Sequence, residues 1–240
     1  MKKPKRKLMA ARAKLQQDHP HRTIPDDWFR TGRVLAAGRP VLNPDALVPA
    51  GITLVVMERP SLRGGRKLAA ALNAFDIDVG GLACLDLGAS AGGFTCELLS
   101  RGARRIYAVD AGHGQLRGAL RQDPRVINLE RTNVADLSSD LVPEPIDLVT
   151  ADLSYLALGT AVNQLTAVAL APCARLVGLV KPQFELGLAT MPESAAEHHR
   201  AIENAATGLR RAGWGRVRVI RSPHRGARGA VEFLMAGVRE

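Results

Sequence analysis

The chain has 240 residues, 46% of them hydrophobic, which is enough for one large domain and a small companion. Its net charge is +10 and its aromatic content only 4%, a balance that suits contact with an anionic backbone through Arg and Lys and not base stacking on aromatic platforms. No apolar run approaches the roughly 18–20 residues of a membrane span, the basic amino end lacks an apolar signal core, and the scattered Cys84, Cys96 and Cys173 argue against a disulfide framework or a zinc site, so a cytoplasmic protein without a metal is expected.

Residues 1–22 read as a basic arm carrying Lys2, Lys3, Lys5, Arg6, Lys7, Arg12, Lys14 and Arg22. Lys7 to Gln17 has helical composition, and Asp18-His-Pro20 breaks it. Residues 23–60 read as a separate small module. Asp26 to Arg30 suits one or two helical turns. Short β runs follow in Gly32-Arg-Val-Leu, Gly38-Arg-Pro-Val-Leu and Ala50-Gly-Ile-Thr-Leu-Val-Val-Met. Arg30, Arg33 and Arg39 give this module a positive face. A Gly-containing linker with Arg63 and Arg66 leads into a helix predicted from Lys67 to Phe75. Lys67 in its first turn would oppose the helix dipole, and a rule broken at an element's start is a hint of function.

From residue 82 the pattern alternates. Strands are predicted at Leu82–Leu87, Arg105–Asp110, Arg125–Leu129, Ile146–Ala151 and Arg175–Val180. Helices are predicted at Gly92–Ser100, Gly114–Arg121, Ala157–Ala171 and Glu193–Ala212. Two last strands, Arg216–Arg221 and Ala230–Gly237, are joined by a loop too short for a crossover helix, so they should pair antiparallel. The expected fold is α/β: a doubly wound, mostly parallel, seven-stranded Rossmann-like sheet over residues 61–240, closed by an antiparallel hairpin.

In such a sheet the site lies at the carboxyl ends of the strands. The first strand ends in Asp86-Leu-Gly88-Ala-Ser90-Ala-Gly92-Gly93-Phe94-Thr95, a glycine turn entering a helix. A carboxylate two residues before the first glycine sits poorly beside a pyrophosphate. It suits S-adenosylmethionine, which carries an amino group and a sulfonium and no phosphate. Asp110 ends the second strand, placed for two ribose hydroxyls. Asn133 follows the third, placed for the edge of an adenine ring. Asp152 ends the fourth strand and Lys181 the fifth. Any one of these reads as a cap or a surface charge; their recurrence at successive strand ends favours a site.

The segments Asp86 to Thr95, Gly112-His-Gly114-Gln-Leu, Asp123-Pro-Arg-Val, Glu130-Arg-Thr-Asn133, Ala151-Asp-Leu-Ser154 and Val180-Lys-Pro-Gln-Phe-Glu-Leu-Gly187 resemble the TlyA-type ribosomal RNA methyltransferases. These are FtsJ-like 2′-O-methyltransferases once described as hemolysin A. The resemblance runs from about Gly32 to the carboxyl terminus. It implies a methyltransferase sheet, S-adenosyl-L-methionine as cofactor and ribosomal RNA or a ribosomal subunit as partner. It also implies an amino-terminal α-L-type RNA-binding module, whose second half residues 26–60 resemble; residues 1–25 depart from the family pattern. By local motif the family's Lys-Asp-Lys-Glu tetrad falls on Lys67, Asp152, Lys181 and Glu232, with Lys181 as base. Asp86, Gly88, Ser90, Gly92, Gly93, Phe94, Asp110, Asn133 and Asp152 would hold the cofactor. Arg30, Arg33, Arg39, Arg63 and Arg66 would hold RNA. The loop after Gly187 is shorter than the family's Gly-rich one. Three alternatives stand beside this reading: a catalytically silent RNA-binding protein, a small-molecule methyltransferase and a membrane-active protein. The whole tetrad, the basic charge and the absence of a basic amphipathic helix, respectively, disfavour them.

Overall fold

A computed structural model describes residues 7–30, 33–56 and 62–240. The first six residues of the expected arm, Gly32 and Met57 of the β runs and Ser61 of the linker lie outside the described residues. The chain divides into two compact units, Met1–Pro60 and Ser61–Glu240.

The first unit runs β1 (Leu8–Ala10), α1 (Ala11–Asp18), α2 (Asp27–Arg30), β2 (Val34–Ala36), β3 (Arg39–Pro40), β4 (Leu47–Pro49) and β5 (Leu54–Val56). β1 pairs antiparallel with β4, and a second small sheet has the order β3-β2-β5. Residues 7–22 are therefore no arm. Ala11 and Leu15, four apart on one face of α1, are fully buried in a core with Ile24, Trp28, Phe29, Val34, Val48 and Leu54. The division expected at residue 22 falls inside this core. The high density of lysine and arginine hid the two apolar positions that seat the helix.

The second unit runs α3 (Arg63–Ala74), β6 (Ala83–Leu87), α4 (Gly93–Ser100), β7 (Arg105–Asp110), α5 (Gly118–Arg121), β8 (Val126–Glu130), β9 (Ile146–Ala151), α6 (Leu158–Asn163), β10 (Leu170–Val180), α7 (Pro182–Glu185), α8 (Ala195–Arg211), β11 (Trp214–Arg221) and β12 (Phe233–Arg239). Seven strands form one sheet in the order β11-β12-β10-β9-β6-β7-β8. β6 pairs parallel with β7 and β9; β12 runs antiparallel to both β10 and β11. From β6 the chain builds outward through β7 and β8, then returns to place β9 on the other side of β6. That reversal opens a crevice at the carboxyl ends of β6 and β9. Alternation along the strands fills two cores, Leu85, Leu87, Val149 and Leu176 on one face and Cys84, Ile106, Leu148 and Val177 on the other.

Three expected helices change their bounds, and the one predicted from Gly114 is observed only over Gly118–Arg121, Gly114 taking φ +70° in the bend before it. α3 begins at Arg63, so Lys67 is its fifth residue and not in its first turn. The earlier start follows from close packing of the helix on α4: a Cβ on Gly65 would lie 2.9 Å from the Gly93 carbonyl oxygen. The helix expected over 157–171 stops at Asn163. β-branched Thr166 and Val168 resist its continuation, and Leu170 already pairs with Ile146 as the start of β10. α8 is set by a capping box, Ser194 accepting from the Glu197 N–H while the Glu197 carboxylate accepts from the Ser194 N–H.

α6 and α8 touch through Gly159 and Gly208, where a Cβ on Gly159 would lie 2.6 Å from the Gly208 Cα. Gly159→Ala must push two backbones apart. It is expected to cost about 1–3 kcal/mol, read as a lower urea midpoint; an unchanged midpoint would refute the contact.

Candidate active site

The crevice between β6 and β9 opens into a cleft of about 980 Å³. Its floor is the turn from Gly88 to Phe94. Its other walls come from the start of α3, the loop after β9, the end of β10 with α7, residues 189–193, and the segment before β12. Gly88 has φ +81°, and a Cβ there would lie 2.6 Å from the Asp152 carbonyl oxygen, so the turn is pressed directly against the end of β9.

All four tetrad residues line this cleft. They form two ion pairs. Lys181 Nζ lies 2.7 Å from Asp152 Oδ1 and donates to Ser154 Oγ at 2.9 Å. Lys67 Nζ donates to Glu232 Oε2, and these side chains are only 6% and 5% exposed. Both pairs border the cleft, the first partly exposed and the second almost wholly buried. Ser154 was part of a motif in the sequence, but its contact with Lys181 was not legible there, because it depends on the course of the loop after β9.

Asp86 does not line the cleft. It is fully buried, its Oδ2 accepting from Thr95 Oγ1 at 2.6 Å and its Oδ1 from Thr150 Oγ1 at 2.9 Å. Burial pushes its pKa up to about 6 against the pull of the two hydroxyls. The expectation that this carboxylate faces a ligand amino group is corrected: Asp86 is shut off from the cleft, and its two hydrogen bonds tie β6 to α4 and β9.

Asp110 lies at the end of β7, beside the cleft and outside its lining. Its Oδ2 accepts from the Ser90 N–H at 2.8 Å and its Oδ1 from the Gly112 N–H at 2.7 Å. Each oxygen keeps a lone pair for a hydroxyl. Glu130, named in a motif without a role, gathers the adjoining loop: its Oε1 accepts from the N–H groups of Gln115 at 3.0 Å and Leu116 at 3.3 Å. Desolvation raises its pKa, but the Gly114, Leu116 and Gln115 amides and the Asn128 side chain outweigh it and bring the value down to about 2. Asn133 is exposed and caps the following 3₁₀ turn, its Nδ2 donating to Asp136 Oδ2 at 3.2 Å. Ser90, Gly93 and Phe94 line the cleft; Gly92 is buried beneath it.

The donor set fits S-adenosylmethionine. The turn from Gly88 to Thr95 holds no Lys or Arg for a phosphate, while Asp110 stands oriented at the next strand end and Asp152 faces the cleft. Among the described residues no group of three or more His, Cys, Asp or Glu is placed to hold a metal ion. No described helix is long and apolar enough to cross a membrane.

Of the expected RNA contacts, Arg63 lines the cleft and donates to the Gly226 carbonyl oxygen at 3.3 Å. Arg66 is exposed on α3. In the first unit Arg39 is exposed, and the Arg33 guanidinium lies 5.0 Å from the centre of the Trp28 ring. The side chain of Arg30 lies outside the described residues.

Glu185, at the end of α7, accepts from the Leu158 N–H at 2.7 Å, and burial pushes its pKa up to about 7. The unfolded chain loses this proton first, from about 4.5 upward. The stability Glu185 contributes is thus greatest at low pH and declines as pH rises to 7. Relative to the native protein, Glu185→Gln is expected to gain on the order of 2 kcal/mol between pH 4.5 and 8, measured by denaturant unfolding; a difference independent of pH would contradict the assignment. Glu232→Ala strands the Lys67 ammonium in a dry site and is expected to cost roughly 3–5 kcal/mol, most of it recovered in Lys67→Met/Glu232→Leu. Equal losses in single and double variants would show that the pair does not govern stability.

The FtsJ-like methyltransferase family model matches residues 61–239 of this chain. A Mycobacterium tuberculosis protein described as 16S/23S rRNA (cytidine-2′-O)-methyltransferase TlyA is 41% identical over 213 residues, which are 85% of this chain and 79% of that protein. A solved structure from Streptococcus thermophilus that bears the name hemolysin superimposes with a TM-score of 0.71 at 28% identity, covering 97% of this chain and 88% of the other. An S-adenosylmethionine dependent methyltransferase from Mesorhizobium loti shares the fold, with a TM-score of 0.52 at 19% identity over 74% of this chain and all of the other.

Proposed function

This chain belongs to the FtsJ-like methyltransferase family, and from that premise we propose that it transfers the methyl group of S-adenosylmethionine to a ribose 2′-hydroxyl of ribosomal RNA. The observation that carries the reading is the meeting of Lys67, Asp152, Lys181 and Glu232 around one cleft at the switch point of the sheet. The bound cofactor supplies a methyl group already activated on a sulfonium.

The chain has two tasks: to align a weak nucleophile in line with that methyl group and to take its proton. The turn from Gly88 to Phe94 seats the cofactor, Asp110 holds its ribose hydroxyls and Asn133 meets its base. Asp86 serves this site from behind, by fixing the turn. Lys181 is the group that reaches the 2′-hydroxyl, and Asp152 and Ser154 fix its amine at the end of β10. The buried Lys67–Glu232 pair fastens α3 to the segment before β12 and so holds two walls of the cleft together. Arg63 at the cleft, with Arg30, Arg33, Arg39 and Arg66, receives phosphates, in keeping with the net charge of +10. Ribosomal RNA in the cytoplasm, free or within a subunit, is the partner this arrangement serves. Two complete ion pairs in the tetrad count against a catalytically silent binding protein.

Mapping 2′-O-methyl groups on ribosomal RNA in cells with and without this protein tests the reading, and a missing modification identifies the target. Lys181→Ala is expected to lower methyl transfer by 10²-fold or more while cofactor affinity, measured by titration calorimetry, stays unchanged. Undiminished turnover in that variant would remove Lys181 from the chemistry.

A further inference from the structure

The second unit holds a cavity larger than the cleft. A groove of about 1240 Å³ lies at the opposite end of the sheet, where β10 and β11 begin and β12 ends. Four arginines line it: Arg175 on β10, Arg211 in the last turn of α8, Arg216 on β11 and Arg239 on β12. Arg239 is held in place, donating to the Ala212 carbonyl oxygen with its guanidinium 6.0 Å from the centre of the Trp214 ring. Arg175, Arg211 and Arg216 are exposed and form no ion pair among the described residues; Glu240 is the one acid in the lining.

The backbone bends to build this groove. β10 shifts register between Leu170 and Arg175, and β11 shifts between Gly215 and Arg218. Each shift holds a non-glycine residue in the left-handed region, Cys173 at φ +59° and Arg216 at φ +47°. Bulges re-aim side chains, and left-handed backbone in non-glycine residues persists only where the surroundings hold it. Both bulges border the same groove.

We propose that this groove is a second contact for RNA, holding a stretch of phosphodiester backbone while the cleft holds the target ribose. It rests on the reading of RNA as the substrate. A concave, unpaired cluster of guanidinium groups matches phosphate oxygens. From Arg175 to Lys181, β10 spans about 20 Å. The two contacts are thus at least about 20 Å apart. The groove selects RNA that is folded or long enough to reach around the domain.

The test uses the whole protein with ribosomal RNA stripped of protein, measuring Kd from 50 to 200 mM salt for the native chain, Arg175→Gln/Arg216→Gln and Arg175→Lys/Arg216→Lys. With two phosphates no longer neutralised, the Gln variant is expected to show a log Kd–log salt slope shallower by about 1.5. The Lys variant keeps the charge and is expected to retain the native slope. S-adenosylmethionine affinity, unchanged in both, reports that the domain is folded. A native slope in the Gln variant overturns the proposal, and so does a Lys variant as shallow as the Gln variant. Methyl transfer by the native chain to the same RNA is scored separately. Its absence alongside the expected slopes would count against the enzymatic reading and leave the groove standing.

Discussion

A carboxylate that never touches the cleft determines where the cleft is. Asp86 sits on the central strand β6, fully buried, and two threonine hydroxyls offset part of what burial costs it. Thr95 belongs to α4, on the far side of the glycine turn, and Thr150 belongs to β9, across the switch point. One buried group therefore binds three elements at the place where the strand order reverses. With that joint fixed, the turn from Gly88 has one course, and its first glycine abuts the end of β9 beside Asp152. The floor of the site and its acidic wall share a single support.

The two ion pairs divide along the same lines. Lys67 and Glu232 are almost wholly removed from water, and a dry pair recovers little net energy beyond its desolvation. Its consequence is geometric: it joins residues 165 apart in sequence. Lys181 and Asp152 are 15% and 24% exposed, open enough to meet a substrate. Burial separates the two pairs.

How much of this was legible in the sequence follows from what each feature depends on. The alternation of apolar runs and glycine turns sufficed for the sheet, because parallel strands and crossover helices leave a periodic trace. Lys67, Asp152, Lys181 and Glu232 stood out as candidates because each sits in a local motif, and the fold brings all four to one cleft. The direction of Asp86 could not, since its partners are nine and 64 residues away and only strand pairing brings them near. The start of α3 escaped for a related reason: two glycines read as a linker become helical because α4 lies against them. Leu170 to Ala171 read as helix until β9 offered Ile146 as a partner. Local pattern fails where a distant backbone decides.

The distribution of charge completes the argument. Two lysines face one aspartate and one glutamate in the tetrad, so the heart of the cleft is balanced despite a net charge of +10 on the chain. A strongly positive centre would repel a sulfonium, and a strongly negative one would repel a phosphodiester. With the centre balanced, the positive excess of the chain lies outside it, Arg63 and Arg228 at the cleft wall included. A basic surface around a neutral site is what a cationic cofactor and an anionic substrate jointly require.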